Sequence, residues 1–273
     1  MPNENQEKKA SSMNFLALSN DSTAKTFIMA ILVCLVCAIF VSVSAVALKP
    51  LQILNKELDK KKNILQVAGL YQEGTDIEAA FSKIEIKLID LATGEYTTEL
   101  DAAKYDDRKA ARDPALNVKI PKAKDLGNIR MRPKVMPVYQ VKDGDKVIQL
   151  ILPVNGYGLW STLYGFLAVE ADGQTIVGLS YYEHAETPGL GGEVDNPKWK
   201  KLWSGKKVYD TDGNVAIEVV KGSVVRGSRG EEYKVDGLAG ATLTSRGVSN
   251  MLQYWMGEEG YQKYLTKIQA NGV

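Results

Sequence analysis

Val138-Tyr139-Gln140-Val141-Lys142-Asp143-Gly144-Asp145-Lys146-Val147-Ile148-Gln149-Leu150-Ile151-Leu152 is the stretch that decides the fold class. Two apolar-rich runs, Val138–Lys142 and Lys146–Leu152, flank Asp143-Gly144. Asp-Gly between such runs is a strong hairpin signal, because the tight turn needs residues that tolerate positive φ. The same grammar recurs twice. Phe166–Ala171 and Gln174–Tyr182 flank Asp172-Gly173, and Lys207–Thr211 and Asn214–Val220 flank Asp212-Gly213. Three hairpins predict antiparallel sheet. Helical patterns before and after them make the class α+β. No Gly-x-Gly-x-x-Gly follows a first strand, so a Rossmann dinucleotide site is unsupported and NADH is not expected to bind this chain.

Upstream of the sheet the grammar is helical. Residues 1–24 are polar and mixed in charge. From Thr26 to Leu48 there is no charged residue, and most positions are Ile, Val, Leu, Ala or Phe. A bilayer-spanning helix needs roughly 20 such residues, so a transmembrane helix is predicted over residues 25–48. Ala45-Val46-Ala47 offers a signal-peptidase site, but a signal core runs only about 7–15 residues. The run from Thr26 through Ser44 exceeds that, and an uncleaved anchor is the better reading. Leu51, Leu54, Leu58 and Leu65 make a loose apolar stripe, which predicts a helical stalk within residues 49–75. Residues 77–88 read as a short amphipathic helix, and Lys104 to Lys134 as a charged, proline-punctuated loop region.

Composition narrows the function. The chain has 273 residues, 45% of them hydrophobic, with a formal net charge of +1. That suits one membrane segment plus one medium-sized domain, and gives no sign of nucleic-acid binding. Its two cysteines, Cys34 and Cys37, both fall in the apolar segment. There is then no disulfide framework and no thiolate metal site outside it. Cys-x-x-Cys on a membrane helix reads better as small-residue packing than as a redox pair. A single histidine, His184, gives hydrolytic triads and zinc sites little support. It reads as a loop residue rather than a catalytic base.

Near the C-terminus, Asp236-Gly237-Leu238-Ala239-Gly240-Ala241-Thr242-Leu243-Thr244-Ser245 leads into a helical pattern. Val248, Leu252, Trp255 and Met256 recur on one face. Thr244 or Ser245 would cap that helix, which leaves Thr242 just outside its N-terminus. Unpaired N–H groups and the helix dipole favour a phosphate there. Gly240 lets the backbone approach closely, and Lys234 and Arg246 flank the place. A threonine hydroxyl is a weak nucleophile at neutral pH, and no histidine is near it in sequence, so a separate enzyme would have to activate it. The competing reading is a Gly-rich turn before an ordinary capped helix.

A second loop, His184-Ala185-Glu186-Thr187-Pro188-Gly189-Leu190-Gly191-Gly192-Glu193, follows a strand-like run. It is not a nucleotide P-loop, and alone it is a turn. A third, Gly156-Tyr157-Gly158-Leu159-Trp160-Ser161-Thr162, joins the first two hairpins. Its aromatics fit either core packing or the cover of a flat ring.

Asp236 through Thr242 resembles the flavinylation motif Asp-x-x-(Ser/Thr)-Gly-Ala-Thr, with Ala239 where that motif has Ser or Thr. Glu186-Thr187-Pro188-Gly189-Leu190-Gly191 resembles the other signature of the same FMN-binding domain. With both motifs in this order, nearly the whole chain resembles the C subunits (NqrC) of the sodium-translocating NADH:quinone oxidoreductases. The G subunit of the Rnf electron-transport complex shares the domain and is the alternative. A non-redox, membrane-anchored assembly or binding protein is the other.

The resemblance implies FMN linked through its phosphate to Thr242, placed there by a magnesium-dependent flavin transferase that uses FAD, with Asp236 orienting or deprotonating the hydroxyl. It implies cofactor contacts from Gly240, Ala241, Leu243, Thr244, Gly158, Leu159, Trp160, Glu186, Thr187, Gly189, Leu190 and Gly191, and no metal ligand. It divides the chain into an FMN-binding domain over 138–250 and a C-terminal helix over 251–273, with 76–137 a helix plus loop-rich lead-in. It implies an electron carrier in a multi-subunit complex coupling NADH oxidation by quinone to sodium export. Lys49, Lys56, Lys60, Lys61 and Lys62 follow the span, against Lys25, Lys8 and Lys9 before it. A positive-inside count keeps the domain in the cytoplasm. The resemblance puts it on the periplasmic side of the bacterial inner membrane, and that reading is preferred.

Overall fold

The computed structural model describes Ser19 and residues 22–271. The polar leader expected over 1–24 therefore lies almost wholly outside the described residues. Helix α1 runs from Thr23 to Val67. It is long and apolar enough to cross a membrane, and it satisfies its own backbone hydrogen bonds, as a span in lipid must. Anchor and stalk were expected as two elements. They form one helix, with Pro50 inside it at the cost of one backbone hydrogen bond. The chain divides into two compact units, residues 1–56 and 57–273.

The second unit is built on six strands: β1 (Ile84–Asp90), β2 (Glu95–Thr97), β5 (Val135–Asp143), β6 (Lys146–Tyr157), β7 (Thr162–Glu170) and β8 (Ile176–Glu183). They form one sheet in the order β2-β1-β5-β6-β7-β8, and every pairing is antiparallel. The first two Asp-Gly turns join β5 to β6 and β7 to β8, as expected. Between β2 and β5 in the chain, β3 (Asn117–Lys119) and β4 (Met131–Pro133) make a small ladder of their own. Short helices α2 (Ile77–Phe81), α3 (Asp107–Ala110) and α4 (Pro197–Lys200) punctuate the loops.

Both faces of the sheet are covered. On β6, Leu150, Leu152 and Val154 join the larger core, while Ile151 joins the smaller. β7 alternates likewise, with Leu163, Leu167 and Val169 against Phe166 and Ala168. This explains why the strands read as near-continuous apolar runs. The smaller core takes Ile64, Leu65 and Val67 from the end of α1. The larger takes α5 (Thr242–Met256). The apolar face expected of that helix is buried: Val248, Leu252, Trp255 and Met256 have no exposed surface. Trp255 Nε1–H donates to Asn155 O at 2.7 Å, and Tyr261 O–H to Pro153 O at 2.7 Å. Each aromatic thus buries a large apolar body while its polar tip pins the helical layer to β6.

Three expectations are corrected. Residues 77–88 are not one helix: α2 stops at Phe81 and β1 begins at Ile84. Ile84, Ile86 and Leu88 alternate with Glu85 and Lys87, a period of two that pairs with β5. The C-terminal helix is likewise interrupted. α5 ends at Met256 and α6 runs from Gln262 to Asn271. The chain passes so close to itself between them that a Cβ at Gly260 would collide with the Trp255 carbonyl.

The third Asp-Gly pair makes no hairpin of strands. Tyr209 and Val215 form a single bridge. β9 (Glu218–Val219) pairs in parallel with β10 (Lys234–Val235). Backbone and side chain close the turn together: Asp210 N–H donates to Asn214 O at 2.9 Å, and the Asp210 carboxylate accepts from the N–H groups of Asp212 and Asn214. Val219 N–H donates instead to Ser249 Oγ of α5 at 2.8 Å. The first arm turns other backbone N–H groups elsewhere, Val208 N–H donating to Gln174 O and Lys207 N–H to Glu232 O, so the pairing of the two arms stays short.

Candidate cofactor site at the start of α5

Three loops meet where α5 begins, and Glu186 joins them. Its Oε1 accepts from three successive backbone N–H groups, Leu159 at 3.1 Å, Trp160 at 3.0 Å and Ser161 at 3.1 Å. Its Oε2 accepts from the Thr244 hydroxyl at 2.8 Å. Consecutive N–H groups turned to one point form an anion nest. Burial pushes the Glu186 carboxyl up. The bonds from Thr244, Trp160, Leu159 and Ser161 outweigh it and hold the group below its ordinary value. Glu186 is an internal anion that fixes the loop after β6 to the loop after β8 and both to α5.

Glycines make this approach possible. A Cβ at Gly158 would lie 2.6 Å from Glu186 Oε1. One at Gly191 would lie 2.6 Å from Thr244 Oγ1 and 2.7 Å from Glu186 Oε2. Gly247, inside α5, faces Tyr157 O at 2.5 Å by the same measure, so helix and loop touch backbone to backbone. Gly189 and Gly240 adopt φ of +75° and +72°, where only glycine is unstrained. Leu190 Cδ2 sits 2.9 Å from the position of a Cβ on Gly240. The Thr187 carbonyl closes its loop, accepting from Leu190 N–H and Gly192 N–H.

Thr242 is the first residue of α5, and Ala241, buried, is the N-cap with no side-chain cap bond. This corrects the expected cap. Thr244 and Ser245 lie inside the helix and are buried. Glu186 takes the Thr244 hydroxyl, and Ser245 Oγ accepts from Leu238 N–H at 3.0 Å. The first helical bond is Ser245 N–H to Ala241 O. Among the described residues no acceptor meets the N–H groups of Thr242, Leu243 or Thr244. Thr242 is exposed at this uncapped, positive end. Around it, Trp160 is 67% exposed and Leu243 52%, and Leu159 and Leu190 are also exposed. Large apolar side chains left in solvent on converging loops mark a binding surface.

Asp236 does not reach Thr242 by any described hydrogen bond. Its carboxylate accepts from Val224 N–H at 2.7 Å and its carbonyl from Trp199 Nε1–H at 2.8 Å. His184 is structural: Nε2 bonds Asp195 at 2.7 Å and Nδ1 accepts from Glu186 N–H. Ser161 and Gly247 were missed in the sequence. Ser161 Oγ accepts from Ala185 N–H at 2.8 Å, and nothing local announces it. Gly247 did carry a signal, since a glycine inside a helical pattern often has a packing reason.

A family model described as "FMN-binding domain" matches residues 158–257, a span that takes in all three loops. A curated relative, the C subunit of the Na(+)-translocating NADH-quinone reductase of Pseudomonas aeruginosa, is 49% identical over 92% of this chain and 98% of its own. The protein of the same name from Haemophilus ducreyi is 46% identical over 92% and 96%. The chain belongs to the family of C subunits of the Na+-translocating NADH-quinone reductases. A solved NqrC structure, from Shewanella oneidensis, superposes with a TM-score of 0.73 at 36% identity, covering 80% of this chain and 99% of that one. The family assignment and the α+β fold class expected from the motifs are both borne out, and membership makes the chain part of an oxidoreductase complex.

The site suits FMN on its own geometry. A phosphate needs donors, and the start of α5 offers unpaired N–H groups. A flat ring system needs apolar cover, and Trp160, Leu190 and Leu243 are exposed beside it.

Proposed function

We propose that this chain is a membrane-anchored electron carrier, with FMN held as a phosphoester of Thr242 Oγ1. The observation that carries the reading is an exposed threonine hydroxyl on the first residue of an uncapped helix, beside unpaired N–H groups. In the attachment step the threonine oxygen forms a bond to the flavin-side phosphorus of FAD, the pyrophosphate bond breaks, and AMP leaves. The hydroxyl proton goes to a base on a separate flavin transferase, because no described hydrogen bond joins the Asp236 carboxylate, which accepts from Val224 N–H, to Thr242.

FMN supplies reversible one- and two-electron redox chemistry when bound. The chain's own residues do the rest. The N–H groups of Leu243 and Thr244 orient the phosphate. Glu186 holds the loop that presents Trp160. A covalent tether keeps the carrier at a high local concentration. The relatives' names supply the setting: electrons pass from NADH toward quinone while sodium crosses the membrane, in a complex with other subunits. We place the domain on the periplasmic side of a bacterial inner membrane, anchored by α1.

The test is intact mass under denaturing conditions, after expression with a flavin transferase. A gain of FMN minus water on the peptide bearing Thr242, absent in Thr242→Ala, supports the reading. An unmodified mass in the presence of an active transferase overturns it, and points to Ala239 or the local fold as the block.

A further inference from the structure

A second concavity, of about 640 Å³, opens beside the ends of β6 and β7. It is walled by α3, the turn after it, Asn128, Ile129, Arg130, Met131 and Pro133, with Asn155, Thr162 and Tyr164 on the sheet side. Its volume is in the range of small-molecule sites, about 300–1,000 Å³. None of the flavin-site residues named above lines it.

Its charges do not cancel. Arg108 is neutralised by Glu183, with two guanidinium nitrogens on the two carboxylate oxygens at 2.8 and 2.9 Å, and it stacks on the Tyr164 ring at 3.9 Å. Asp107 is paired with Lys60 at 3.7 Å. That leaves Arg112 and Arg130. Both line the cavity and are exposed at its mouth, and neither has an acid within ion-pair distance among the described residues. Guanidinium groups keep their charge and match carboxylate and phosphate oxygens in a fork.

The wall is also held in a strained shape. Asn128 and Arg130, at φ of +50° and +70°, are the only non-glycine residues with positive φ among those described, and both line this cavity. Such backbone persists only where its surroundings enforce it, most often at binding sites. Here Asp125 enforces it, accepting from Ile129 N–H at 2.7 Å and Arg130 N–H at 2.8 Å. Below lies an apolar floor of Ile129, Pro133 and buried Met136.

We propose that this cavity binds a small organic anion, its carboxylate or phosphate held between Arg112 and Arg130 and its apolar body laid against Met136, Ile129 and Pro133. The site is separate from the start of α5.

The test uses the flavin-loaded full chain in detergent at low ionic strength, titrated calorimetrically with two probes, inorganic phosphate and phthalate. Saturable binding of at least one probe is expected. It should weaken at least tenfold in Arg112→Gln/Arg130→Gln. Response to phthalate alone identifies an apolar-bodied carboxylate, and response to phosphate assigns the phosphate chemistry. No saturable binding, or binding retained by the double variant, overturns the proposal. Both arginines are exposed and outside any ion pair, so the double variant should unfold at the same urea midpoint as the parent. Should it unfold early, either single substitution serves, with the same tenfold loss expected.

Discussion

The Thr244 hydroxyl donates to Glu186 Oε2 at 2.8 Å, joining residues 58 positions apart in the chain. Through this bond the second motif reaches into the first turn of the helix that the first motif starts. The same carboxylate fixes the backbone of Leu159, Trp160 and Ser161. One side chain thus holds three loops in register around Thr242.

Glu186→Ala should be among the most damaging substitutions in the domain. It strands three N–H groups and a buried hydroxyl, and each unsatisfied buried group costs about 1–3 kcal/mol. With some rehydration the expected loss is about 3–5 kcal/mol, a large part of a typical total of about 5–15. Glu186→Gln keeps one carbonyl oxygen for the nest, and Thr244 Oγ1 can turn to accept, so a loss of about 1–2 kcal/mol is expected. Urea unfolding measures both. Equal stability of Glu186→Ala and the parent would refute the nest's structural weight.

Glu186 also predicts an acid limb. Its folded pKa lies below the ordinary value of 4.5, so its stabilisation is complete above that pH. It fades as pH falls through the depressed folded value, where the unfolded state binds the proton first. The parent should therefore lose stability below about pH 4.5 more steeply than Glu186→Gln. Parallel stability curves for the two, between neutral pH and about pH 3, would remove Glu186 as a source.

Gly247→Ala sets two effects of opposite sign against each other. Helix propensity alone favours alanine by about 1 kcal/mol. A Cβ there would meet Tyr157 O at 2.5 Å and Gly158 Cα at 2.9 Å, and backbone atoms yield little. Overpacking of this kind costs about 1–3 kcal/mol, so the net change should be destabilising. A rise in the urea midpoint would show that the loop moves aside at little cost.

Thr242→Ala and Trp160→Ala should separate function from folding. Both side chains are exposed, so unfolding free energy should move by no more than about 0.5 kcal/mol. Thr242→Ala should abolish covalent flavin. Trp160→Ala should keep the tether but weaken the visible circular dichroism of the flavin, because ring cover is lost. An unchanged flavin spectrum in Trp160→Ala would place the ring elsewhere.

Much of this was legible in the chain itself. The charge-free run to Leu48 determined a helix able to span a membrane, because a bilayer allows few solutions and the signal is long and local. Asp143-Gly144 and Asp172-Gly173 determined two hairpins, because tight turns demand particular residues at particular places. Two short motifs carried the family. The three-dimensional structure alone decided where α5 starts, since the hydroxyls of Thr244 and Ser245 could cap a helix in isolation. They do not, because Glu186 and the Leu238 N–H compete for them. It alone decided that the pairing around Asp212-Gly213 stays short, because the N–H groups of Lys207 and Val208 find the carbonyls of Glu232 and Gln174, and that of Val219 finds Ser249. Local spacing records what a residue can do; which partner it obtains depends on groups that only folding brings within hydrogen-bond reach, about 3 Å.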